Sequence, residues 1–217
     1  ICIICSGSAW SYNFKVVKVM DGLESPWSLS FIDASKILIT QKSGKLIFGN
    51  IKNKTIDGIR HNLLIAEHGQ GGLLDVLFSN KKVYVSYSEA RGQGKSSTSI
   101  AVGKFNNSNI VFKNIFRANP PIASGYHFGS RIIIKDNYLF ASLGERGMGR
   151  IAQDPTKHPG SIIRIKLDGS IPIDNPRFKD KVGWLPELFQ IGVRNPQGMY
   201  LSPYDNEVYI SNHGARG

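Results

Sequence analysis

Five side chains in this sequence have types suited to moving a proton and holding an anion or a carbonyl: His127, Arg131, Arg194, Gln70 and Asn195. An imidazole titrates near neutral pH, so His127 can act as a base. The guanidinium groups of Arg131 and Arg194 can hold an anion or a developing oxyanion. The amides of Gln70 and Asn195 can fix carbonyls and hydroxyls by paired hydrogen bonds. Many glycines accompany them, as in Gly69-Gln70-Gly71-Gly72, and let a flat ligand approach the backbone. Each also has a plainer reading: Gln70 in a turn, His127 as a packing histidine, Arg194 capping a turn before Asn195-Pro196. His61 and His68 in one loop, and His158 before Pro159, read as surface histidines, and no cluster has zinc-site spacing. Gly92-Gln93-Gly94-Lys95-Ser96 lacks the spacing and the following helix of a phosphate loop.

The elements that must position these residues repeat. Four segments, Trp27–Gln41, Gly72–Tyr87, Ser130–Leu143 and Gly198–Asn212, each read as a strand, a polar turn and a second strand. The second strands are Ile37-Leu38-Ile39-Thr40, Val83-Tyr84-Val85-Ser86, Leu139-Phe140-Ala141-Ser142 and Val208-Tyr209-Ile210-Ser211: three apolar residues and then a hydroxyl. Lys45–Phe48, Ile110–Phe112 and Ser161–Ile165 supply further, outer strands. No amphipathic helix longer than two turns is expected. Hairpins recurring about every 45 to 70 residues predict an all-β propeller of about four blades rather than a β-sandwich. Both ends of an antiparallel hairpin lie on one side of its sheet. The residues leading into and out of all four hairpins, the five side chains among them, are therefore expected at one mouth.

With 27 basic and 16 acidic residues the formal charge is +11. The basic residues are scattered in turns such as Asn80-Lys81-Lys82 and Lys179-Asp180-Lys181, without a run of five or six like charges, which argues against nucleic acid. The opening Ile1-Cys2-Ile3-Ile4-Cys5 followed by Ser6-Gly7-Ser8-Ala9 reads as the remnant of a secretory signal within residues 1–12, ahead of a propeller domain over 13–217. A periplasmic or secreted protein is expected, with no membrane span once the leader is removed.

The motifs Gly69-Gln70-Gly71-Gly72-Leu73-Leu74-Asp75-Val76, Tyr87-Ser88-Glu89, His127-Phe128-Gly129-Ser130-Arg131, Leu143-Gly144-Glu145-Arg146, Asp168-Gly169-Ser170-Ile171-Pro172, Gly192-Val193-Arg194-Asn195-Pro196-Gln197-Gly198 and His213-Gly214 occur in one order. In that order the chain resembles the soluble aldose sugar dehydrogenases that use pyrroloquinoline quinone (PQQ), the glucose/sorbosone dehydrogenase-like propellers. The resemblance implies a six-bladed propeller, present here as an N-terminal fragment, with later cofactor and calcium residues beyond Gly217. It implies that His127 is the general base and that Arg194 stabilises charge on the reduced quinone. It further implies that Gln70, Arg194, Asn195 and His213 hold the cofactor, that Glu145 and Arg146 contact the sugar, and that the carbonyls of Gly214 and Ala215 bind calcium. The expected partners are an aldose and an external electron acceptor, and a homodimer stays open. Asn212-His213-Gly214-Ala215 and Gly144-Glu145-Arg146 depart from the family's frequent Glu-His-Gly-Pro and Gly-Asp-Arg. Two other functions fit a propeller: a metal-dependent lactonase, with carboxylates and Asn around a metal in the channel, and a non-catalytic carbohydrate- or protein-binding module.

Overall fold

The structure, a computed structural model, describes residues 14–176 and 183–215; the leader reading of residues 1–12 and the turn at residues 179–181 lie outside them. One five-stranded sheet, two four-stranded sheets and a two-stranded hairpin make up the described chain, antiparallel throughout except for the short fifth strand of the first sheet. The first sheet runs β1 (Pro26–Phe31), β2 (Lys36–Gln41), β3 (Leu46–Asn50) and β4 (Thr55–His61), and the second begins β5 (Leu73–Ser79), β6 (Lys82–Ala90), β7 (Ser96–Lys104). β8 (Asn109–Ile110) intervenes before the second sheet's last strand, β9 (Lys113–Arg117). The third sheet runs β10 (Gly129–Lys135), β11 (Tyr138–Leu143), β12 (Ser161–Lys166) and β13 (Leu188–Ile191), and the hairpin is β14 (Pro196–Leu201) with β15 (Val208–Asn212).

All four hairpins expected from the sequence are thus present. Two of their turns show why: Asn80 and Lys81 have φ of 49° and 61°, and Asp136 and Asn137 have φ of 50° and 63°. Positive φ at both central residues is the type I′ geometry that matches strand twist, and Asn and Asp tolerate it best. The outer strands differ in one place. Ile110 does not join the second sheet; Asn109–Ile110 pairs in parallel with Arg60 and His61 at the edge of the first, and Lys113–Arg117 closes the second. Among the described residues the only helical element is a 3₁₀ turn, Gly149–Gln153.

Alternation along the second strands lets each sheet bury both faces. Val83, Val85 and Tyr87 of β6 pack toward Leu38, Leu46 and Ile59 of the first sheet, whereas Tyr84 packs toward Leu139, Ala141 and Ile163 of the third. Phe140 and Ile162 turn the other way, onto Met199 of β14. Each such buried side chain contributes roughly 1.5–3 kcal/mol. Sheets stacked face to face, with β1, β5, β10 and β14 innermost, form consecutive blades of a β-propeller.

The inner strands are tied by one polar knot that the sequence does not mark. The Asp75 carboxylate accepts from the Ser28 hydroxyl, from the Ile132 amide at 2.7 Å, from the Val76 amide at 3.0 Å and from Arg131 Nη1 at 2.8 Å. Arg131 also donates to Ser28 Oγ at 3.1 Å and to the Gln197 carbonyl at 3.2 Å, and lies 4.7 Å from the Trp27 ring centre. Arg131 is therefore a brace between inner strands, not a free anion holder at the mouth. Burial pushes the Asp75 carboxyl above its ordinary value, although Arg131 and the Ser28 hydroxyl oppose this. Removing one partner of a buried pair strands the other charge. Asp75→Ala in the full-length protein is expected to cost about 3 kcal/mol, read from the denaturant midpoint.

Candidate active site

Strand direction brings one set of connections to one face. The registers Pro26↔Gln41, Leu73↔Tyr87, Gly129↔Leu143 and Pro196↔Asn212 put the start of every inner strand and the end of its partner at the same mouth. The segments 62–72, 118–128, 144–160, 192–195 and 213–215 consequently gather there.

His127 stands at the centre of this set. Its φ of 50° is in the left-handed region, a conformation that a non-glycine residue keeps only when its surroundings enforce it. Gln70 enforces it from the second blade, its Oε1 accepting the His127 amide at 2.8 Å. Gly144 permits it, since a Cβ there would lie 2.0 Å from the His127 carbonyl oxygen. The ring meets Glu145 through Nδ1. The other oxygen of Glu145 accepts the Gly149 amide at 2.6 Å, and the Glu145 amide donates to the Arg194 carbonyl at 2.8 Å. With both carboxylate oxygens accepting, Nδ1 carries the proton and Nε2 is left as the basic nitrogen. The His127 side chain is 13% exposed and that of Glu145 only 4%.

The fourth blade supplies the rest. Arg194 is half-buried, and its Nη1 donates to the carbonyls of His213 and Gly214, each at 3.2 Å, leaving Nε and Nη2 without a protein acceptor among the described residues. Asn212, at the end of β15, holds this loop: its Oδ1 accepts the Arg194 amide at 3.2 Å and the Asn195 amide at 2.9 Å. Asn195 is buried and accepts the Gly129 amide at 3.0 Å, so Nδ2 is the group it can still offer. Gln70 and His213 are exposed at the mouth.

Other expectations change. Glu145 and Arg146, each 3% exposed, lie beneath the mouth rather than on it, Glu145 behind the His127 ring and Arg146 against backbone carbonyls. His158 is buried, not superficial, accepting the Asn119 amide at 3.0 Å and standing edge-on to Phe116. His61 is half-buried, 2.8 Å from the Gly44 carbonyl. The Gly214 carbonyl, expected on calcium, accepts from the Arg194 cation instead, and no three His, Cys, Asp or Glu among the described residues converge on a metal position. A cavity of about 440 Å³ beside β15, lined by Tyr138, Phe140, Arg164 and Phe189, contains none of the mouth residues.

The profile of the Glucose / Sorbosone dehydrogenase family matches residues 23–217. The aldose sugar dehydrogenase YliI of Escherichia coli K12 is 35% identical, over 99% of this chain and 61% of its own length. The crystal structure of the soluble aldose sugar dehydrogenase of E. coli in its apo-form has a TM-score of 0.86 at 35% identity, covering 92% of this chain and 60% of that one. The PQQ-bound aldose sugar dehydrogenase of Streptomyces coelicolor shares the fold, with a TM-score of 0.78 at 24% identity over 92% of this chain and 60% of that one. The chain thus spans about three-fifths of the relatives' length. With its blades in order and its mouth residues on the matched segment, this chain belongs to the glucose/sorbosone dehydrogenase family.

Proposed function

We propose that the full-length protein is a quinoprotein that oxidises aldoses at the anomeric carbon, with His127 as the general base. One observation carries this reading: the His127 ring is fixed through Nδ1 by a buried carboxylate, which leaves Nε2 as the proton acceptor. Nε2 takes the proton of the sugar's anomeric hydroxyl, and Glu145 stabilises the imidazolium that forms. Bound at the mouth, PQQ would supply the two-electron acceptor for the anomeric carbon, so that the aldose leaves as its lactone. The free donors of Gln70, Asn195 and Arg194, with His213 beside them, suit the carboxylates and carbonyl oxygens of such a planar anion. Arg194 orients the quinone and offsets charge that develops on its oxygens.

Turnover would require an external electron acceptor, and the apolar opening before Ser6-Gly7-Ser8-Ala9 favours a periplasmic or secreted setting. Among the described residues no helix is long and apolar enough to cross a membrane. The channel carboxylate a lactonase would need, Asp75, is held by Arg131 and two amides.

The test is reconstitution of full-length protein with PQQ, with and without calcium, followed by aldose-dependent dye reduction. Stoichiometric quinone uptake with sugar-dependent turnover is expected. A protein that takes up no quinone and reduces no dye would refute the reading.

A further inference from the structure

We propose that Arg146 is a positioning residue, whose guanidinium grips the backbone before His127 and the Phe128 ring after it and so aims the imidazole at the mouth. The inference rests on the reading of His127 as the base. Arg146 is a buried cation with no carboxylate partner among the described residues. Its donors go to three main-chain carbonyls and one hydroxyl instead: Nε to the Tyr126 carbonyl at 3.0 Å, Nη1 to the Ser96 carbonyl at 2.9 Å, and Nη2 to the Ser124 carbonyl and to Ser96 Oγ. The guanidinium carbon lies 3.7 Å from the centre of the Phe128 ring, and the Arg146 amide reaches the His127 carbonyl at 3.3 Å. The residue before His127, the residue after it and His127 itself are thus all held by one side chain and its own amide.

Burying a cation among carbonyl dipoles is costly, and here burial lowers the pKa of Arg146 to about 10. A purely space-filling role would not require that cost. What the planar fork supplies, and a lysine cannot, is several fixed directions at once. Those directions matter because His127 holds a left-handed φ of 50° that it would otherwise relax. A flip of that peptide would break the Nδ1 contact with Glu145 and turn Nε2 away.

The experiment uses the full-length protein, with Arg146→Lys and Ser96→Ala beside wild type. Arg146→Lys keeps the charge and loses the fork; kcat is expected to fall about 10- to 100-fold with KM nearly unchanged, because misplacement of a reacting group by an ångström is worth that much. Its quinone uptake should match wild type. Independently of cofactor, the far-downfield proton of the His127 Nδ1–H bond to Glu145, seen by NMR with labelled histidine, should vanish or move. Should Arg146→Lys fail to fold, Ser96→Ala decides alone, since it deletes only the hydroxyl acceptor: a partial fall in kcat and a shifted proton resonance support the clamp. Wild-type kcat and an unmoved resonance in Ser96→Ala, or in a folded Arg146→Lys, overturn it. If His127→Ala retained turnover the base assignment would fall, yet the resonance would still report whether Arg146 aims the ring.

Discussion

His127→Ala in the full-length, reconstituted enzyme is expected to lower kcat by about 10²- to 10⁴-fold, the usual contribution of a positioned general base. The loss should be confined to chemistry. Gln70 contacts the His127 main chain rather than its ring, at 2.8 Å, and Arg194 and Asn195 are held by Asn212, so the cofactor cradle survives truncation of the imidazole. Quinone uptake by titration should therefore equal wild type. Turnover that is unchanged by the substitution would remove His127 from the mechanism.

Glu145→Gln is expected to cost nearly as much, although the side chain is buried behind the His127 ring. The reason is a count of donors and acceptors. In the wild type one carboxylate oxygen accepts the Gly149 amide at 2.6 Å and the other faces His127 Nδ1. A glutamine has only one carbonyl oxygen. If that oxygen stays with the Gly149 amide, the NH₂ group faces Nδ1, which must then accept, and the ring proton moves to Nε2. The base is thereby blocked without any loss of volume or packing. A fall in kcat of about 10²- to 10⁴-fold is expected, comparable to the effect of the same exchange behind other catalytic histidines. Labelled-histidine NMR gives the separate check: the tautomer of His127 should invert. A Glu145→Gln enzyme with wild-type kcat and an unaltered tautomer would show that Glu145 does not set the ring's state.

The hairpins were legible because alternation and turn chemistry are local. Val83-Tyr84-Val85 declares two buried faces, and Asn80-Lys81 and Asp136-Asn137 declare tight turns. The common mouth followed from topology alone. The short outer strands were less legible: Ile110-Val111-Phe112 is apolar but too short to carry a register, and the pairing of Ile110 with His61 depends on a neighbouring strand nearly fifty residues back. The roles of Glu145 and Arg146 lay further out of reach. Adjacent in sequence and both ionisable, they stand together as the pair that the family resemblance places against the sugar. Only the approach of Gly144 to the His127 carbonyl turns both inward, one toward the ring and one toward Phe128. His158 was obscured similarly, since Asn119, Phe116 and Glu187, which enclose it, come from distant segments.

The knot around Asp75 bears on how the molecule comes apart. Arrays of repeated modules commonly unravel from an end, because each module is coupled only to its immediate neighbours. Arg131 of the third sheet, however, grips Ser28 of the first, 103 positions earlier, and so couples modules that are not adjacent. An array with such a second-neighbour link loses the option of shedding its first module alone. Its melting should be all-or-none across these sheets, and a protease should find an intact core or fully digested chain, with few trimmed intermediates between them.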